Sequence, residues 1–229
     1  MMTVGGRCDI IASNKSETER KMQRMLNNQA FDLWADGYDK SVALAEENDE
    51  YPFAGYKKIL NTIYNHVLAQ AGKCILDIGF GTGTLTTKLY QQGCIIYGQD
   101  FSNRMIKLAQ EKMPEAHLYQ GDFTFGLVKK LAEHQYDSII ATYSLHHLSD
   151  TQKVGFLNNL LELLKPNGCI YIGDVAFHTR HELETCCHRM AEMWDEDEIY
   201  FVFDELKHAF PQMEFEQISY CSGILYLKR

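Results

Sequence analysis

The amino-acid sequence predicts an α/β fold: a Rossmann-like, seven-stranded, mostly parallel sheet with an antiparallel C-terminal strand, helices on both faces and an N-terminal helical cap. Three observations lead there. Between Cys74 and Val175, short apolar runs alternate with segments of helical periodicity, the pattern of a parallel sheet covered on both sides. The first run closes on a glycine-rich loop, Leu76-Asp77-Ile78-Gly79-Phe80-Gly81-Thr82-Gly83-Thr84. Only Cys221-Ser222-Gly223 separates the last two runs. A link that short fits antiparallel pairing, because a parallel crossover takes a dozen or more residues.

The polar, weakly patterned residues 1–22 are expected to form a flexible tail. Residues 23–229 read as a single domain, with cap helices over 23–70 and a core over 71–229. Helical periodicity puts Leu26, Ala30, Leu33 and Trp34 on one stripe between Met25 and Asp49. It puts Ile59, Leu60, Ile63, Tyr64 and Val67 on another over Gly55–Gln70. Cys74–Gly79 is then a buried strand, followed by a helix over Thr84–Gln92 that Gly93 stops. Cys94–Gln99 and His117–Tyr119 are the next strands, with a helix over Asn103–Lys112 between them that ends before Pro114. A helix around Leu127–Glu133 leads to a fourth strand, Asp137–Thr142. Thr151–Leu164 carries Val154, Leu157, Leu160, Leu161 and Leu164 in phase and ends in a Lys165-Pro166-Asn167-Gly168 turn before the fifth strand, Cys169–Val175. Helices over His181–Met193 and Phe203–Phe210 precede the final strands, Phe215–Tyr220 and Ile224–Lys228.

Bulk properties narrow the function classes. With 229 residues, 45% of them hydrophobic, the chain supports one large core and is short for two. A net charge of −9 and the lack of a Lys/Arg stripe argue against a nucleic-acid partner. No apolar stretch approaches the ~20 residues that cross a bilayer, and Met1–Ile11, with Arg7 and Asp9, does not read as a secretory signal. The seven cysteines, odd in number and without a C-x-x-C pair, fit reduced thiols in the cytoplasm. The expected assembly is a monomer or homodimer.

In open α/β sheets, ligands bind outside the carboxyl ends of the strands, and the first such end is the loop Asp77–Thr84. The dinucleotide fingerprint G-x-G-x-x-G fails here: counted from Gly79 its third glycine falls on Thr84, and from Gly81 on Thr86. A carboxylate at Asp77 would repel a pyrophosphate and suits a cation. Asp100 lies 21 positions after Gly79 at the end of the second strand, where an acidic residue meets ribose hydroxyls in nucleotide-binding sheets. Gly121-Asp122-Phe123 follows the third strand, and Ala141-Thr142-Tyr143-Ser144-Leu145-His146-His147-Leu148 closes the fourth.

These elements, in this order, resemble the class I S-adenosylmethionine-dependent methyltransferases. Asp77, Gly79, Gly81 and Gly83 match the family's (D/E)-x-G-x-G-x-G loop in full. Phe31, Ala35, Tyr38 and Asp39 match an F-x-x-x-A-x-x-Y-D pattern found in many small-molecule members. Trp34–Val42 and the Tyr143–Leu148 run bring the chain close to uncharacterised bacterial methyltransferases of the YrrT type. The resemblance spans roughly Phe31 to Val175. It implies S-adenosylmethionine as cofactor, S-adenosylhomocysteine as product and a small-molecule acceptor. It assigns Asp77, Gly79, Gly81 and Gly83 to the cofactor loop, Asp100 to the ribose, Phe101 to the adenine, and Gly121, Asp122 and Phe123 to the adenine's amino edge and ring. Thr142 and Tyr38 complete the expected cofactor contacts.

Methyl transfer from a sulfonium is an in-line displacement in which the leaving group is already activated, so alignment and exclusion of water dominate. Where the acceptor needs a base, His146, His147 and Tyr38 are the candidates. No metal is expected at His146 and His147, because adjacent histidines diverge on most backbones and no acidic cluster with ligand spacing accompanies them. At least one of the two is expected to be a structural histidine. The crowd His178, His181, Cys186, Cys187 and His188 lacks the usual ligand spacing as well, and Asp195-Glu196-Asp197-Glu198 reads as a solvated surface. Three rival functions keep the same fold. They are a nicotinamide oxidoreductase, which the glycine spacing disfavours; a non-catalytic cofactor-binding regulatory domain; and an aminopropyltransferase, which the His146-His147 loop disfavours.

Overall fold

The computed structural model describes residues 50–229. The expected tail, the Met25–Asp49 helix and the Phe31–Asp39 pattern, with Tyr38, lie outside the described residues. The strands are β1 (Cys74–Ile78), β2 (Ile95–Asp100), β3 (His117–Gln120), β4 (Tyr136–Thr142), β5 (Leu164–Phe177), β6 (Phe201–Val202), β7 (Glu214–Gln217) and β8 (Ser222–Lys228). The helices are α1 (Tyr56–Ala69), α2 (Thr84–Gln91), α3 (Asn103–Lys112), α4 (Lys129–Ala132), α5 (Asp150–Glu162), α6 (Arg180–Arg189) and α7 (Phe203–Ala209).

Seven strands run in the order β3-β2-β1-β4-β5-β8-β7, and the two-residue β6 pairs with β5 beside that path. The expected seven strands are therefore present, and the eighth is too short to leave a periodicity in the sequence. β1 to β5 are mutually parallel, while β8 is antiparallel to both β5 and β7. The C-terminal strand thus inserts one place inside the edge and leaves β7 outermost. β5 starts earlier than the expected turn allows. Leu164 pairs with Tyr136, Cys169 pairs with Ser138, and the register shift between them absorbs Lys165–Gly168. Asn167 takes a left-handed φ of 65° there, a conformation asparagine tolerates.

Neighbouring strand residues alternate between two apolar layers, as the pleat requires. Ile75, Ile96 and Ile140 pack with Ile59 and Ile63 of α1 and Leu89 of α2. Leu76, Ile78 and Ile139 pack on the other face with Leu157 and Leu160 of α5 and Leu206 of α7. Each fully buried aliphatic side chain contributes about 1.5–3 kcal/mol, so both layers hold the helices against the sheet. The helix starts are fixed locally: Ser102 caps α3, and Ser149–Gln152 and Thr179–Glu182 form capping boxes on α5 and α6.

None of the six described cysteines is in a disulfide. Among the described residues no helix is long and apolar enough to cross a membrane. The strand order reverses between β1 and β4, so the loops leaving their carboxyl ends flank the crevice where ligands bind in such sheets.

Candidate cofactor and active site

The loop after β1 is shaped by three left-handed glycines, with φ of 68° at Gly79, 55° at Gly81 and 76° at Gly83. At Gly79 the requirement is steric as well: a Cβ would stand 2.5 Å from the Cβ of Ser144. That close approach lets the Ser144 hydroxyl donate to the carbonyl of Ile78 at 2.8 Å and ties the end of β4 to the end of β1. Gly81 is the opposite case. A Cβ there would meet nothing within 4 Å, so its backbone borders open space.

Two adjoining open clefts occupy that space and share Gly79, Gly81 and Tyr143. The first also takes in Asp77, Thr86 and Thr142. The second takes in Asp100, Phe101, Phe123, Ser144 and His147. Of the expected cofactor residues, Gly83, Gly121 and Asp122 stand behind these walls. Gly83 opens α2, and the Asp122 carboxylate accepts from the Thr124 backbone N–H at 2.9 Å and from its hydroxyl at 2.6 Å, capping a short 3₁₀ turn.

Asp77 is 1% exposed. One carboxylate oxygen accepts from the Thr86 hydroxyl, while the other, Oδ1, is buried without a hydrogen-bond partner among the described residues. Burial pushes its pKa up to about 7, the Thr86 bond opposes the shift, and the Asp100 charge adds to it. An unpaired buried carboxylate oxygen beside a cavity calls for a cationic donor. The α-ammonium group of S-adenosylmethionine is such a donor, so these residues fit that cofactor. Asp100 is held from both sides: Oδ2 accepts from the Gly81 N–H at 2.9 Å and Oδ1 from the Ser102 N–H at 2.8 Å.

The two histidines part company in role. His146 is buried, with Nδ1 2.7 Å from Asp174 Oδ1 and Nε2 3.3 Å from Glu198 Oε1. Burial alone would lower its pKa, but the two carboxylates overcome this and hold it well above the ordinary imidazole range. His147 turns to the wall of the second cavity. The rings do not diverge: a 3₁₀ turn over Leu145–His147 leaves their centroids 4.4 Å apart. Nor is the acidic run all solvated surface. Glu198 reaches His146 and also accepts from the Tyr200 hydroxyl at 2.7 Å.

Sequence reasoning missed Thr86, Ser144, Asp174 and Glu198. Asp174 carried the one usable signal, a carboxylate inside the apolar run Ile170–Val175, since acidic residues are almost never fully buried without a partner. Tyr143 also went unassigned as a lining residue. It has a φ of 50°, unusual for an aromatic residue and typical of strain kept at functional sites. Its ring lies 5.3 Å from those of both Phe53 and Tyr56.

The chain matches the family model described as "Methyltransferase domain" over residues 75–168. An uncharacterized methyltransferase of Geobacillus sp. strain WCH70 is 39% identical over 155 residues, covering 67% of this chain and 70% of that relative. The chain belongs to this methyltransferase family. Among solved structures it resembles the DhpI–SAH complex, with a TM-score of 0.64 at 15% identity over 88% of this chain and 94% of the other. It also resembles magnesium protoporphyrin IX methyltransferase (ChlM) from Synechocystis PCC 6803 with bound SAH, with a TM-score of 0.59 at 18% identity over 77% and 84%. The fold is that of the class I S-adenosylmethionine-dependent methyltransferases.

Proposed function

We propose that this methyltransferase transfers the methyl group of S-adenosylmethionine to a small-molecule acceptor in the cytoplasm, with no nucleic acid or membrane as partner. The observation that carries the cofactor assignment is the buried, unpartnered Oδ1 of Asp77 beside the open backbone of Gly81. The first cavity receives the amino-acid end of the cofactor against Asp77 and Thr142. The second receives the nucleoside between Asp100, Phe101 and Phe123. A small acceptor is supported by the net charge of −9 and by ChlM, a neighbour whose name gives a porphyrin as its substrate.

His147, with Tyr143 and Ser144, forms the wall that the acceptor meets. His146, with both ring nitrogens turned to carboxylates, positions that wall rather than touching the acceptor. The test is a methyl-transfer assay with labelled S-adenosylmethionine and a panel of thiol, amine, phenol and carboxylate acceptors. Turnover with one class supports the reading. Cofactor binding at one site per chain with no turnover on any class favours the regulatory-domain alternative.

A further inference from the structure

We propose that His146, His147 and Glu198 form a binding site for one divalent transition-metal ion of the zinc class at the acceptor wall. Each residue offers one ligand atom, and the three atoms lie within 4.8 Å of one another. The 3.3 Å between His146 Nε2 and Glu198 Oε1 is long for a good hydrogen bond. It equals the spacing of two ligands on a shared tetrahedral ion, about 3.3 Å for bonds of about 2.0–2.1 Å.

Two of the three ligands, His146 and Glu198, are held in place by the protein around them. Asp174 takes His146 Nδ1 at 2.7 Å and so directs Nε2 toward Glu198, the carboxylate–histidine arrangement that orients metal-bound imidazoles. A second bond from the Val175 N–H at 2.8 Å fixes the same Asp174 oxygen. Glu198 Oε2 accepts from Tyr200, whose hydroxyl also meets that of Tyr51. The next residue, Ile199, is pinned at both ends of its peptide: its N–H donates to the His146 carbonyl at 2.8 Å, and its carbonyl accepts from the buried Lys153 ammonium. His146 and Glu198 are therefore set for an ion, and His147, on the exposed side, closes onto it. Two carboxylates, Asp174 and Glu198, converge on the His146 imidazole; the ion displaces the Nε2 proton to water, and its charge then balances the carboxylates.

Two histidines and a glutamate are the ligand set of catalytic zinc sites that keep a fourth position open. Here His147 places that opening on the cavity. The inference rests on the methyltransferase reading and narrows its acceptor to small molecules with an ionisable S–H or O–H group. In the step, the acceptor binds the ion as its anion and its proton passes to water. The lone pair of the acceptor sulfur or oxygen then forms a bond to the methyl carbon. The C–S bond of the cofactor breaks, its electron pair returns to sulfur, and S-adenosylhomocysteine and the methylated acceptor leave. The ion lowers the acceptor's pKa, as metal ions do for bound water.

The experiment uses the full chain, dialysed after exposure to Zn²⁺, with metal content by elemental analysis and Zn²⁺ affinity by calorimetry. S-adenosylhomocysteine binding is measured in parallel on the wild type. The expected result is one zinc per chain, lost from Glu198→Gln and from His147→Ala, with affinity falling more than about 100-fold, beyond the 10–100-fold cost of removing an outer partner. His147→Ala changes an exposed side chain, so its folding, followed by circular dichroism, is expected to be intact. Absence of stoichiometric zinc from a wild type that binds S-adenosylhomocysteine overturns the site and leaves the methyltransferase reading standing. Zinc retained equally by both variants also overturns it and moves the metal elsewhere. Zinc lost with the variants, in a chain that does not bind S-adenosylhomocysteine, supports the site and sinks the methyltransferase reading.

Discussion

Replacing Asp77 with asparagine should stabilise the ligand-free protein at alkaline pH and weaken its hold on the cofactor. Burial moves this carboxyl from 3.8 to about 7, so the folded chain favours the protonated form while the unfolded chain ionises near its ordinary value. Stability contributed by the group is therefore present below about pH 4, declines as pH rises between the two values, and is fully lost above about 7. At ~1.4 kcal/mol per pH unit, the displacement amounts to about 4 kcal/mol at pH 8. Asparagine carries no charge to desolvate, and its side-chain oxygen can still accept from Thr86.

The variant's Tm should then exceed the wild type's by roughly 8–16 °C at pH 8, with a much smaller margin at pH 5. S-adenosylhomocysteine should narrow that margin at pH 8. Its ammonium pairs with Asp77 in the wild type, and losing a charged hydrogen bond of about 1.5–3 kcal/mol weakens binding roughly 10- to 150-fold. Thermal unfolding of both proteins at pH 5 and pH 8, with and without S-adenosylhomocysteine, is the assay. An asparagine variant that is less stable at both pH values, or that binds the ligand as tightly as wild type, refutes the reasoning.

Three further outcomes are expected. Asp100→Ala should weaken S-adenosylhomocysteine binding by about 1–3 kcal/mol through the unpaired ribose donors; calorimetry checks this, and an unchanged affinity removes Asp100 from the site. Gly79→Ala combines a left-handed φ with a Cβ 2.5 Å from Ser144, so urea unfolding should show a loss of about 2–4 kcal/mol, and a neutral effect would mean the β1–β4 contact is looser than described. His146→Ala strands Asp174 and Glu198 and should cost about 3–5 kcal/mol, whereas Arg180→Gln breaks an exposed pair with Glu205 and should cost less than about 1 kcal/mol. Equal losses in the two variants would contradict the distinction between buried and exposed charge.

The glycine loop was legible because its geometry is local. Asp77 and the three glycines lie within seven residues, and backbone dihedrals, strand end and helix start are all set by neighbours in sequence. Asp100 was legible because strand–helix–strand spacing fixes where the second strand ends. Glu198 was not. It reaches His146 across 52 positions of chain and accepts from Tyr200, while Lys153 binds the neighbouring Ile199 carbonyl, so a run of acidic residues looked like surface. β6 escaped for a related reason, since two residues pairing with the end of β5 carry no period. The histidine pair misled through a generic rule: adjacent side chains diverge on extended backbone, but the 3₁₀ turn at Leu145–His147 brings the rings together.

The central claim is that the glycine loop with Asp77 and Asp100 is the binding site of S-adenosylmethionine. Calorimetric titration of the wild type, Asp77→Asn and Asp100→Ala with S-adenosylhomocysteine, with NADH as the comparison ligand, tests it most directly. The account predicts one site per chain in the wild type, at least tenfold weaker binding in each variant and no heat from NADH. Binding of NADH, or S-adenosylhomocysteine affinity indifferent to both substitutions, would contradict it.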